Sequence, residues 1–145
     1  MQSDILAAIA LEQLKKIDWV KRRRRQNAIF LSSKLARFEP LIKIPRTIEG
    51  AESNHHIYAI MLQEKTFRGR FINLLRKEGI ECSTHFVPLN ASPFAQRYLG
   101  YKKGDCPVTE KVCDSLVRLP VYPQLHKGDL EYIAAGIENV IGDTT

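Results

Sequence analysis

The chain has 145 residues, 44% of them hydrophobic, with 22 Lys+Arg against 16 Asp+Glu and a formal net charge of +6. Those figures suit one domain with its own core and exclude a disordered or fibrous chain. Seven basic residues and one acid fall within residues 15–25 (KKIDWVKRRRR), so this stretch carries the whole excess and the remainder is neutral. The charge is a local feature, not the signature of a basic protein. None of the three cysteines, Cys82, Cys106 and Cys113, lies in a C-x-x-C pair. That argues against a disulfide framework and against any metal site. The apolar run Ile5–Leu11 follows no positive segment, stops at Glu12 and is too short to span a bilayer. These features together read as a soluble, cytoplasmic protein that does not engage membranes.

Residues 1–38 hold no Gly and no Pro. Ser3 is placed to cap a helix and Asp4 to favour its dipole. Leu6, Ala10, Leu14, Ile17, Ala28, Leu31 and Leu35 fall near one helical stripe, interrupted by Lys21 and Arg24. The pattern predicts one long helix that buries one surface through its first half and another through its second. Glu39-Pro40 ends it, because the residue before proline disfavours helix. LIKIP (41–45) is a short strand candidate and HHIYAIMLQ (55–63) a β-branched, aromatic one. Thr66 is placed to cap a helix over 67–78, with Phe67, Phe71, Leu74 and Leu75 as its buried face and Gly79 just past its end. IECSTHFV (80–87) reads as the next strand, which makes strand, helix and strand a βαβ unit. Prolines and glycines then mark residues 88–107 as a long loop with a short helix near 93–99. A helix from Thr109 to Val117 and an extended LPVYP (119–123) follow. Leu130, Ile133, Ile137, Val140 and Ile141 form the stripe of a final helix.

Few residues suggest chemistry. His55 and His56 are adjacent, so on a strand they would face opposite ways and could not chelate one metal. His126 sits where the last helix starts and reads as a cap or first-turn residue. His85 stands at a strand end that feeds a long loop, where α/β proteins place binding residues. Cys82 reads as a buried, inert thiol. The chain has no G-x-S-x-G, Walker loop or G-x-G-x-x-G motif. Consecutive basic residues wrap every face of a helix, which suits a solvated mid-section better than a DNA-reading surface.

Four stretches taken in order carry a resemblance: SDILAAIALEQLKKID (3–18), SNHHIYAIML (53–62), FINLLRKEGIECSTHFVPLNASP (71–93) and LVRLPVYP (116–123). Together they resemble the C-terminal part of DegT/DnrJ/StrS-type sugar aminotransferases, with order and spacing agreeing over nearly all of the chain. Within that family, THFVPL…SP looks closest to the members that make dTDP-4-amino-4,6-dideoxygalactose for surface polysaccharides.

The resemblance implies an α/β fold, the small domain of the aspartate-aminotransferase-like architecture: a long N-terminal helix plus a short sheet with helices packed on it. Residues 1–145 would form that single domain, with the large cofactor-binding domain absent. The intact family uses pyridoxal phosphate, held by a lysine in a Ser/Phe-rich, Gly-flanked loop of the large domain. None of the 11 lysines here has that setting. The expectation is no catalytic residue and no bound cofactor in this chain alone, with nucleotide-sugar substrate engaged only in the intact enzyme. His85 and Asn90 are the candidate substrate-binding residues at the site-facing edge. Many relatives have a second His where this chain has Asn90, which can hydrogen-bond a sugar hydroxyl but not act as acid or base. Tyr122 is assigned to packing. The expected partner is a separate large domain or a second copy, joined through the Leu6–Ile17 stripe. The alternatives are a non-catalytic oligomerising or binding module and, less favoured, nucleic-acid binding through KRRRR.

Overall fold

A computed structural model of the chain describes residues 3–142. The elements run α1 (Asp4–Leu14), α2 (Ile17–Leu35), β1 (Ile42–Lys43), β2 (Tyr58–Leu62), α3 (Arg68–Lys77), α4 (Pro93–Tyr98), α5 (Pro107–Ser115), β3 (Leu116–Leu119) and α6 (Lys127–Gly142). The three strands form one antiparallel sheet in the order β1-β2-β3. Ile42 faces Leu62 across the first ladder, and Tyr58 faces Leu119 across the second.

One sheet face presents Ile42, Tyr58, Ile60, Leu62, Val117 and Leu119 to the core. Leu31 and Leu35 of α2, Phe71 and Leu75 of α3, and Leu130, Ile133, Ile137 and Val140 of α6 join the same cluster. Every residue of the expected α6 stripe is buried. Removing such aliphatic and aromatic surface from water drives the fold, at about 25 cal/mol per Å² of apolar area. On the opposite sheet face Ala59, Met61, Leu116 and Arg118 are only half-buried.

The structure departs from expectation in six places. The long N-terminal helix is two helices: at the junction Lys16 N–H bonds Gln13 O, a tighter three-residue step, before Val20 N–H resumes on Lys16 O. No residue of α1 is buried, so the first half of the stripe covers nothing within this chain. Neither Ser3 nor Thr66 caps with its side chain; Thr66 lies inside a 3-10 turn, 65–67, that leads into α3, and another at 36–38 follows α2.

The strand expected over 80–87 is reduced to one bridge. Ser83 exchanges both backbone hydrogen bonds with Arg118, at 3.2 and 2.8 Å, on the edge of β3. Since β2 and Ser83 both run antiparallel to β3, they are parallel to each other with β3 between them. The βαβ unit is therefore a split one, and its intervening strand, LVRL, stands where helix was expected to run to Val117. The histidine pair also lies ahead of β2, not on it. His55 has φ +45°, and its N–H donates to Ser53 Oγ at 3.1 Å. His56 N–H donates to Asn54 Oδ1 at 3.1 Å. These side-chain acceptors offer the backbone a turn in place of the ladder.

Candidate functional site

The long loop after Ser83 carries both candidate binding residues. His85 is half-buried, its ring 4.7 Å from that of Phe86. Its Nδ1 is buried and has no hydrogen-bond partner among the described residues. Such a nitrogen is an open donor or acceptor position. Asn90 is the opposite case. It is 7% exposed, and its Nδ2 donates to Glu110 Oε1 at 2.8 Å.

The Glu110 carboxylate also accepts from Gly104 N–H, at 3.0 and 3.1 Å. Gly104 sits at φ +100°, where a side chain would strain the backbone. The Gly104 amide chiefly holds the Glu110 carboxyl below its ordinary range; desolvation, the next effect, opposes it, and the Asn90 amide, the Cys106 backbone and the Lys103 charge add smaller help. One carboxylate at the start of α5 thus ties both ends of a loop. α4 inside that loop is capped by Ser92 Oγ, which accepts from Ala95 N–H at 3.2 Å. The two candidates share the loop but no hydrogen bond joins them.

The same loop turns apolar side chains outward: Phe86, Val87, Leu89, Phe94, Tyr98 and Leu99 are all exposed, Leu89 at 86%. A second apolar surface is α1, with Ile5 74% exposed and Leu6, Ile9, Leu11 and Leu14 all above half. Surfaces of this kind mark interaction sites on soluble folds.

The basic stretch is not simply solvated. Arg23 Nε and Nη2 donate to the carbonyls of Pro123 and Leu125 at 3.2 and 2.8 Å. Asn27, 1% exposed, donates to Tyr122 O at 2.9 Å. α2 therefore latches the turn that leads into α6. The buried polar Asn27 was not anticipated from the sequence, because its partner lies 95 residues away. Tyr122 itself is 52% exposed, so its backbone and not its ring does the packing there; Val121 and Leu125 fill the core. Arg25 pairs with Glu52 at 3.7 Å on the surface, an arrangement that contributes little.

His126 supplies a backbone N–H to Asp129 Oδ2 at 2.7 Å and has an exposed side chain, as a helix-start residue should. His55 and His56 line different grooves, of about 490 and 560 Å³. Burial and the nearby Arg25 charge lower the His55 pKa, in that order of weight. Cys82 is buried, its thiol 3.7 Å from Ile72 O, and burial raises its pKa. Among the described residues no cluster of three or more metal-ligating side chains occurs, and no helix is long and apolar enough to cross a membrane.

A split βαβ core carrying a Pro-punctuated loop and an uncovered leading helix is a fold shared with part of larger α/β proteins of known structure. The family model described as DegT/DnrJ/EryC1/StrS aminotransferase matches residues 2–138, and the chain belongs to that family. Among curated relatives, an uncharacterized protein of Methanocaldococcus jannaschii, MJ1066, is 31% identical over 144 residues, covering 97% of this chain and 37% of its own length. The spore coat polysaccharide biosynthesis protein SpsC of Bacillus subtilis is 28% identical over 142 residues, covering 95% of this chain and 36% of its own. The solved sugar aminotransferase Spr1654 of Streptococcus pneumoniae, in its apo form, superposes with TM-score 0.88 at 24% identity, over 98% of this chain and 36% of that one. The chain thus spans little more than a third of the proteins it matches.

The family depends on pyridoxal phosphate, and Spr1654 is also known in PLP and PMP forms. A lysine that holds this cofactor must work from an enclosed position where lost hydration keeps the amine neutral and reactive. Here ten of the eleven lysines are exposed and Lys21 is half-buried, and none lines either groove that carries a histidine.

Proposed function

We propose that this chain supplies the small-domain portion of a pyridoxal-phosphate sugar aminotransferase, acting on a nucleotide-linked 4-keto-6-deoxy sugar in the cytoplasm for lipopolysaccharide or other surface polysaccharide. In this reading the cofactor and the lysine that holds it belong to the large-domain portion of such an enzyme, and residues 3–142 supply none of that chemistry. The observation that carries this reading is α1. It is an 11-residue apolar helix with no buried residue, in a chain whose residues 2–138 match the family model yet which spans about a third of the relatives. A helix of that composition needs a covering surface.

The loop residues then take distinct roles. His85, with its free Nδ1 beside an exposed aromatic, hydrogen-bonds a sugar hydroxyl at the site mouth and orients the substrate. Asn90 contributes indirectly, holding the loop in place through Glu110. The bound cofactor would supply the electron sink for moving the amino group; this chain's residues bind, orient and exclude water.

A second reading, self-association of two copies, draws on the same α1 surface. Mixing the chain with a sugar aminotransferase truncated to lack the matched third separates the two. A one-to-one complex in sedimentation and restored amination of a dTDP-linked 4-keto-6-deoxy sugar, reduced by His85→Ala, support the proposal. Dimers of the chain alone, with no complex and no turnover, overturn it.

A further inference from the structure

The groove of about 560 Å³ lies between the start of α6, the Ser83 bridge and α2, and it is lined by Arg24, Arg118 and His56 among others. Arg24 and Arg118 come from elements far apart in sequence, and both are half-buried. Neither guanidinium has a hydrogen bond or ion pair with any described residue, whereas the neighbouring Arg23 and Arg25 both do. The Nε of Arg24 is fully buried without an acceptor. A guanidinium is always charged, presents its donors in a fixed fork, and is costly to bury unpaired.

The two acids bordering the groove do not relieve this. Asp129 Oδ2 is engaged by the His126 amide at the α6 start. Glu81 is exposed and forms no ion pair with either arginine. His56 has its Nδ1 within 3.0 Å of Asn54 Oδ1, leaving Nε2 as its free nitrogen. The half-exposed rings of Tyr122 and Tyr132 border the same groove.

We infer that this groove is an anion site for a phosphoryl group, its oxygens taken by Arg24 and Arg118 and any organic part lying along the two tyrosine rings. Two guanidiniums lining one groove without protein acceptors match a group with several free oxygens, which a phosphate or diphosphate offers. The site is independent of amination: it needs neither His85 nor the loop beyond Thr84.

Calorimetric titration of the whole chain with inorganic phosphate, pyrophosphate and ADP tests it. Pyrophosphate and ADP should bind at a single site, and Arg24→Gln or Arg118→Gln should each weaken that binding about tenfold or more, the scale of a lost charged hydrogen bond. Arg22→Gln, an exposed change in the same basic run, should leave it within about twofold. ADP binding more tightly than pyrophosphate identifies a nucleotide-borne phosphate; equal affinity identifies the free group. Far-UV circular dichroism of each variant separates lost binding from lost folding, and Arg118→Gln carries the test should Arg24→Gln unfold. Absence of binding by all three probes, or equal loss on Arg22→Gln, overturns the assignment.

Discussion

Replacing Arg23 by alanine removes both hydrogen bonds from its guanidinium to the carbonyls of Pro123 and Leu125. Hydrogen bonds involving a charged group contribute about 1.5–3 kcal/mol when buried. Arg23 is half-buried and one of its bonds is 3.2 Å long, so solvent screening reduces the expected loss to about 1–2 kcal/mol. Asn27→Ala removes a 2.9 Å bond from a site only 1% exposed and leaves the Tyr122 carbonyl without that donor, for about 1–3 kcal/mol. Because both residues hold one turn, the double variant should lose less than the sum. Urea denaturation followed by far-UV circular dichroism measures each value, and an unchanged m-value confirms that only native stability moved. Arg22→Ala, on the exposed side of α2, is the reference and should stay within about 0.5 kcal/mol of the parent. If Arg23→Ala behaves like Arg22→Ala, α2 does not latch the α6 turn and the basic stretch is merely solvated.

Three further outcomes follow from the geometry. A Cβ added at Gly136 would collide with Ile80 Cδ1, the tip of a side chain that burial leaves little room to move; overpacking of about 1–3 kcal/mol outweighs the helix-propensity gain of about 1 kcal/mol, so Gly136→Ala lowers the melting temperature in the parent but not in an Ile80→Val background. The Glu110 carboxyl is held below its ordinary value of 4.5, so the tie it makes is fully present above that pH and is lost as pH falls through the depressed value; amide exchange at Gly104, corrected for intrinsic rate, should accelerate in that window, and Glu110→Gln should remove the pH dependence. With a thiol reagent near neutral pH, half-buried Cys106 and Cys113 should react first and buried Cys82 last, because burial raises its pKa.

Much of the fold was legible where burial is periodic along one element. The α6 stripe, the strand at β2, the short α4 and, in Phe71 and Leu75, part of the buried face of α3 all follow from local pattern, whereas buried Ile72 was not among the expected residues. Pairings decided elsewhere in the chain were not legible. LVRL is four residues joined directly to a helix, with no breaker between them, so nothing local marks it as a strand. Residues 80–87 have strand-like composition, but a single bridge on the edge of β3 is all that forms. Asn27 and Arg23 sit in a polar run whose partners lie about 100 residues on. The place of His85 at the entry to a loop was readable from the sequence; the hydrogen bond of Asn90 to Glu110 was not, since Glu110 comes from α5. The exposure of α1 could not be read from a stripe, which records apolar spacing and not what covers it.

The division of labour proposed for the chain turns on where the cofactor's lysine resides. The direct measurement is to add pyridoxal phosphate to the 145-residue chain, trap with borohydride and map peptides by mass spectrometry. The account predicts only weak, scattered labelling of exposed lysines. A stoichiometric adduct on one lysine of this chain would contradict it.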